Sequence, residues 1–345
     1  MPLYDLLRSD AAFSHFSGER LPPLSADERT VNELNRIAGK AVWAFLDMTR
    51  SVGFGPVEEK DVTDEFGFVM HHAPFEKTIW IAKRPFNDEK GAIDFLKAWI
   101  TKVRQDAKKI ALNPGVYREE YHRSYLHKQS LIGDTVNLLA QHGIGLDDIR
   151  HRLGLELFSY IAADDPGLIS EALEAMTVFN IAECHAIADR GLSPAVLTYS
   201  DIAYKNRLIH SPEFLHRDFF PRIKRINDAW HEEGLKCLFH SDGYLMDVVD
   251  DLIGTGIDGL NPIETVAGMS LREVRGKYGN RLFLAGGIDM SQLLSNGTPD
   301  EVRQVCREAI RDAYPGYFMG STTEADNSCR LENLLAMYEV AMEGI

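Results

Sequence analysis

The apolar positions of the chain change their period as it proceeds. Over 31–50 they fall at Leu34, Ile37, Ala38, Ala41, Val42, Phe45 and Leu46, the spacing of a helix with one buried face. Asp64-Glu65-Phe66-Gly67-Phe68-Val69-Met70 then reads as a turn into a strand, and Thr78-Ile79-Trp80-Ile81-Ala82 as a second strand, together a small hairpin region. Helical spacing returns over 92–107. Past residue 120, short apolar runs alternate with helix-like segments. The clearest runs are Ala195-Val196-Leu197-Thr198-Tyr199, Lys236-Cys237-Leu238-Phe239, Gly259-Leu260, Leu282-Phe283-Leu284-Ala285 and Tyr317-Phe318-Met319, with helices predicted over 212–233, 245–255, 270–278 and 299–313. Strand alternating with helix predicts parallel β/α units. The punctuation agrees: Thr298-Pro299 is a cap followed by a first helical proline, and Gly234 stops a helix before a strand. The expected fold is one (β/α)8 TIM barrel over 61–345, with 1–60 an N-terminal helical extension packed on it. A doubly wound open sheet is the alternative.

Composition narrows the partners. With 37 basic and 52 acidic residues the formal charge is −15, which argues against nucleic acid and anionic membranes as partners. It leaves a small-molecule substrate open. The cysteines at 184, 237, 306 and 329 form no CxxC pair or framework, so no disulfide scaffold is expected. The opening residues lack a basic and then apolar leader, and no run of about 18 apolar residues occurs. A cytoplasmic location is the expectation.

In a parallel barrel the chemistry sits at the carboxyl ends of the strands. Here those ends read Ser200-Asp201, His240-Ser241-Asp242, Asn261-Pro262-Ile263-Glu264, Gly286-Gly287-Ile288-Asp289 and Gly320-Ser321-Thr322. Ser241, Asp289 and Ser321 are equally suited to capping helices. His240 is a poor cap. On an extended segment His240 and Asp242 point the same way. That suits a metal-ligand pair or an imidazole–carboxylate acid–base unit. Asp201, one strand earlier, completes a candidate catalytic trio, and Asn261, Glu264, Asp289 and Ser321 are expected to line the pocket. Gly243 frees the backbone to turn. Cys237 has the opposite strand parity to His240 and is expected in the core. Glu183 and His185, and the histidines at 71, 72, 122, 127, 142, 151, 210, 216 and 231, are expected to be structural or superficial.

Several segments, taken in order, carry a family resemblance. They are Asp64-Glu65-Phe66-Gly67, Asp201, Ser211-Pro212-Glu213-Phe214, Pro221-Arg222-Ile223-Lys224, Phe239-His240-Ser241-Asp242-Gly243, Gly256-Ile257-Asp258-Gly259-Leu260-Asn261-Pro262, Gly286-Gly287-Ile288-Asp289, Gly297-Thr298-Pro299-Asp300-Glu301-Val302 and Glu332-Asn333. The chain resembles the uroporphyrinogen decarboxylase superfamily, and within it the corrinoid-dependent methyltransferase branch. The resemblance implies the barrel with its cleft at the strand carboxyl ends. It also implies methyl transfer to a corrinoid carried by a partner protein, a zinc ion, and a homodimer. In that branch zinc is held by a His-x-Cys pair and a later Cys. Here His240 stands at the His, Asp242 at the first Cys, and Ser321 near the second, with Cys329 a candidate displaced ligand. A His/Asp site would hold a harder ion and suit an oxygenated methyl donor better than a thiol. Authentic decarboxylases of the superfamily carry an N-terminal Arg-rich segment that grips substrate carboxylates; it is absent, which disfavours porphyrinogen decarboxylation. A metal-free lyase using His240 and Asp242 for proton transfer, and a catalytically idle ligand-binding barrel, are the competing readings.

Overall fold

The structure is a computed structural model that describes residues 1–343. Its centre is a six-stranded parallel sheet. From edge to edge the strands are Tyr317–Ser321, Phe283–Ile288, Gly259–Asn261, Lys236–His240, Ala195–Tyr199 and Leu139–Gln141. A second parallel pair joins Met48–Thr49 to Val136–Asn137, which leads directly into the edge strand Leu139–Gln141. At the other edge, Leu3 bridges Met319 in parallel, and Tyr4 bridges Met48. Tyr4 N–H donates to the Met319 carbonyl at 2.9 Å, and Met48 N–H to the Leu3 carbonyl at 3.0 Å. A separate antiparallel sheet of Lys60–Thr63, Val69–Ala73 and Thr78–Lys83 stands where the hairpin was expected.

The apolar periods explain the packing. The helix Glu28–Phe45 buries Leu34, Ile37, Ala38, Ala41, Val42 and Phe45, the stripe that its spacing predicts. Pro299–Ala313 starts with Thr298 and Glu301 in a reciprocal capping box and buries Val302, Cys306, Ala309 and Ala313. The segment 212–233 is helical but broken by a π-turn at Leu215–Phe219; Pro221 beyond it has no N–H to give to the ladder. Over 245–255 the helix is confined to Val249–Gly254. Helices at Pro114–Leu131, Leu146–Leu153, Leu155–Asp164 and Pro166–Ile187 fill the stretch between the antiparallel sheet and Ala195.

Two apolar clusters result. The large one lies between the sheet and the helices. The small one lies on the other face of the strands and holds Tyr4, Met48, Leu138, Ala195, Leu197, Leu238 and Ala285, with Phe283 and Phe318 against it. Gly259 has no side chain there for a steric reason: a Cβ would lie 2.5 Å from the Phe283 ring. Gly259→Ala should therefore lower unfolding free energy by about 1–3 kcal/mol. Gly276, inside the helix Leu271–Tyr278 with nothing within 4 Å of its Cβ position, should gain about 0.5–1 kcal/mol as Gly276→Ala. Urea denaturation of the two variants beside wild type measures both signs.

Candidate active site

The pairing register builds the site. His240 is level with Asn261 on one side and Tyr199 on the other, so all three leave the sheet on the same face at the strands' carboxyl ends. His240 is buried, and its Nδ1 lies 2.6 Å from Asn261 Oδ1. Asn261 Nδ2 donates to the Ala285 carbonyl at 3.2 Å, which turns the amide oxygen toward the ring. That oxygen favours the tautomer with the proton on Nδ1 and the lone pair on Nε2. Arg50 Nη1 stands 3.1 Å from the same Nδ1. Burial and this guanidinium push His240 down to about 4, so the ring is neutral at neutral pH.

The free Nε2 faces Asp242 Oδ1 at 3.7 Å. Asp242 N–H donates to Asp201 Oδ1 at 3.1 Å, which ties the two strand ends together. One ligand atom from each of Asp201, His240 and Asp242 fits within 4.8 Å of the others. The Asp242 side chain opens partly to solvent, but its Oδ1 is buried and has no hydrogen-bond partner. Burial, with the carboxylates of Asp201 and Glu264 nearby, raises Asp242 to about 7, and Arg50 only partly offsets them. Glu264 accepts from Gly243 N–H at 2.7 Å and so holds the turn beyond Asp242. Gly243 is needed there: φ is +94°, and a Cβ would lie 2.5 Å from the Ala203 carbonyl carbon. Gly286 answers a similar demand, since a Cβ would meet the Pro262 carbonyl oxygen at 2.2 Å.

The four residues expected to line the pocket have divergent roles. Asn261 orients His240, and Glu264 holds Gly243. Asp289 and Ser321 are engaged with other parts of the backbone and with Asp5. The Asp289 carboxylate is spent as a cap on the backbone N–H groups of Ser291, Gln292 and Leu293. Ser321 gives its N–H and its hydroxyl to the buried carboxylate of Asp5, at 2.8 and 2.7 Å. Cys329 is buried and stands in neither three-donor cluster among the described residues. Cys237 packs in the outer apolar core, as its parity requires. Glu183 takes bonds from Tyr117 and Gln141, and His185 pairs with Glu233.

Other rim residues were not anticipated. Arg50 follows Met48–Thr49, a pair too short to show a period. His142 follows the strand Leu139–Gln141; Asp148, 3.1 Å from its ring, raises its pKa, and the Tyr199 hydroxyl meets the same Nδ1. Behind Asp201, the Asp147 carboxylate accepts from Asp201 N–H at 2.8 Å and pairs with buried Arg150. A second His/Cys/Asp group, His231, Cys237 and Asp258, lies at the opposite end of the strands, where Asp258 is already paired with Lys236 at 2.7 Å.

No family model matches the chain, and no curated protein matches it. Solved structures do. A methyltransferase from Methanosarcina mazei aligns over 99% of this chain and 93% of its own, with a TM-score of 0.66 and 15% identity. At that identity the likeness establishes the fold. No helix among the described residues is long and apolar enough to cross a membrane.

The His240 environment has a pH signature. Its folded pKa, about 4, is below the unfolded value of about 6.5, so its contribution to stability is full above pH 6.5 and is lost as pH falls toward 4. Between pH 7 and 5, in chelator, this amounts to about 2 kcal/mol. His240→Gln should lose less stability over that interval by roughly this amount. Urea titrations of both proteins at the two pH values test it; equal losses would contradict a neutral buried ring.

Proposed function

We propose that the chain is a metal-dependent methyltransferase built on a closed (β/α)8 barrel. It would take a methyl group from an oxygen of a small methylated substrate and pass it to a corrinoid held by a partner protein. Barrel closure is supported by the bridges at Leu3 and Tyr4, which link the outer edge of Tyr317–Ser321 to Met48. Met48–Thr49 is in turn paired with the chain leading into Leu139–Gln141. Counted this way there are eight parallel staves, and the small apolar cluster becomes the barrel interior. In this reading 2–5 and 47–50 are barrel staves rather than parts of an extension over 1–60.

The observation that carries the metal is the unpartnered, buried Asp242 Oδ1, 3.7 Å from a histidine nitrogen whose lone pair is free. Three carboxylates (Asp201, Asp242 and Glu264) gather around one neutral imidazole and one guanidinium, an excess that a cation relieves. The donor set fits a divalent ion such as zinc, held by His240 Nε2, Asp242 and Asp201. When bound, such an ion supplies Lewis acidity at the substrate oxygen. The remaining work belongs to the chain. Asn261 holds the ring with Nε2 inward, and Arg50 with burial keeps it unprotonated. Asp242 must release its proton near pH 7 to act as a ligand, and Glu264 fixes the turn that aims it. The aligned methyltransferase fold supports methyl transfer as the reaction class.

Protein expressed with ample metal should carry about one equivalent of a divalent transition metal. Metal affinity should rise with pH through 7. His240→Ala and Asp242→Asn should each weaken it at least about tenfold, with a parallel loss of methyl transfer from a methoxylated aromatic to cob(I)alamin, followed by absorbance. A metal content below about 0.2 equivalents would exclude the metal-dependent reading.

A further inference from the structure

Beside the Asp201 cluster lies a cavity of about 710 Å³ whose polar walls are Arg84, Arg150, Arg207 and His151. We infer that this cavity binds the carboxylate of a substrate whose remaining body is apolar. Resting on the methyltransferase reading, this carboxylate would belong to the methyl donor.

The charge of the cavity is the first argument. The protein carries −15 overall, yet no acidic side chain lines this cavity among the described residues. Arg150 is largely neutralised by Asp147 and also donates to the Asp201 carbonyl. Arg84 is held differently: its Nε and Nη2 donate to the backbone carbonyls of Arg152 and His151, at 2.9 and 2.7 Å. Those bonds fix the guanidinium without cancelling its charge. Arg207 makes no ion pair among the described residues. Two uncompensated guanidiniums at one concave site favour an anion, and their planar forks match a carboxylate.

Backbone geometry points the same way. Gly154 has φ +81°, and a Cβ there would sit 3.3 Å from Arg84 Cζ, so the missing side chain lets the guanidinium lie against the chain. The ten-residue helix Leu155–Asp164 begins at that point with no side-chain cap, and its first turn opens on the cavity through Leu155. The rest of the wall is mostly apolar, with Leu155, Leu208, Ile209 and the Tyr204 ring beside a single serine, Ser159, which suits an aromatic or acyl body over a sugar or a polyphosphate.

The cavity is joined to the candidate active site. The segment that begins with Asp201 continues through the hairpin Ala203–Tyr204 and Arg207–Leu208, which forms a cavity wall. That hairpin is pressed against the turn after His240: Tyr244 N–H donates to the Tyr204 carbonyl at 3.1 Å. A ligand anchored at the arginines therefore lies on the element that carries Asp201.

The experiment is calorimetric titration of the full chain with 4-methoxybenzoate and with 4-methoxybenzyl alcohol, which share the methoxyphenyl body and carry a carboxylate or a neutral hydroxymethyl group. The carboxylate should bind at least about tenfold more tightly, with the preference shrinking as salt is added. Arg207→Met and Arg84→Met should each remove most of that preference and leave the alcohol's affinity unchanged. Arg207 is exposed, so its variant folds whatever becomes of Arg84. Equal binding of the two ligands, or a preference untouched by both variants, would overturn the inference. A carboxylate preference that depends on the arginines in a protein that holds no metal and transfers no methyl group would sustain the cavity's role and refute the methyltransferase reading. Methyl transfer from both ligands with equal affinity would do the reverse.

Discussion

Parallel pairing is the constraint from which the rest follows. When every strand of a sheet runs the same way, every carboxyl end reaches one rim, and polar residues far apart in sequence must meet there. His240, Asn261 and Tyr199 share a level because the ladder sets them there. Gly286 and Gly243 lack side chains because neighbouring carbonyl groups of the same rim press against them. The helices outside satisfy the apolar face that this arrangement leaves, and the short strands at Leu3, Tyr4 and Met48 satisfy the free backbone groups at its edges.

Within the rim the electrostatics are decided by burial more than by pairing. A histidine pushed down to about 4 and an aspartate raised to about 7 stand 3.7 Å apart, so at neutral pH the ring is uncharged and Asp242 is only partly ionised. An imidazolium–carboxylate bridge would need both groups charged, and burial disfavours it most strongly at His240. What remains is a neutral nitrogen donor beside the carboxyl groups of Asp201 and Asp242, the arrangement on which the proposed cation site rests. The orientation of that nitrogen is set two bonds away, by the Ala285 carbonyl acting through Asn261.

Much of this was legible in the chain itself. The strands from Ala195 onward show as apolar runs bounded by caps and glycines, and His240 with Asp242 showed by strand parity. The short pairings at Leu3, Met48 and Val136 did not, because pairing over one or two residues leaves no period to read. Arg50 and Asp5 were hidden with them, although one touches the key imidazole and the other holds Ser321. Asp289 shows a different limit. An acidic residue after a strand is the right type for a pocket wall and for a helix cap, and only the N–H groups of Ser291, Gln292 and Leu293 decide between them. The cavity arginines come from three separate segments and share no motif.

The proposed cation would be held by His240 Nε2 and the carboxylates of Asp201 and Asp242. X-ray absorption at the edge of the bound metal tests it most directly. The account predicts a first shell of nitrogen and oxygen only, at about 2.0–2.2 Å for zinc, with imidazole scattering that disappears in His240→Ala. A sulfur shell at about 2.3 Å would contradict it, because it would place one of the buried cysteines in the site instead.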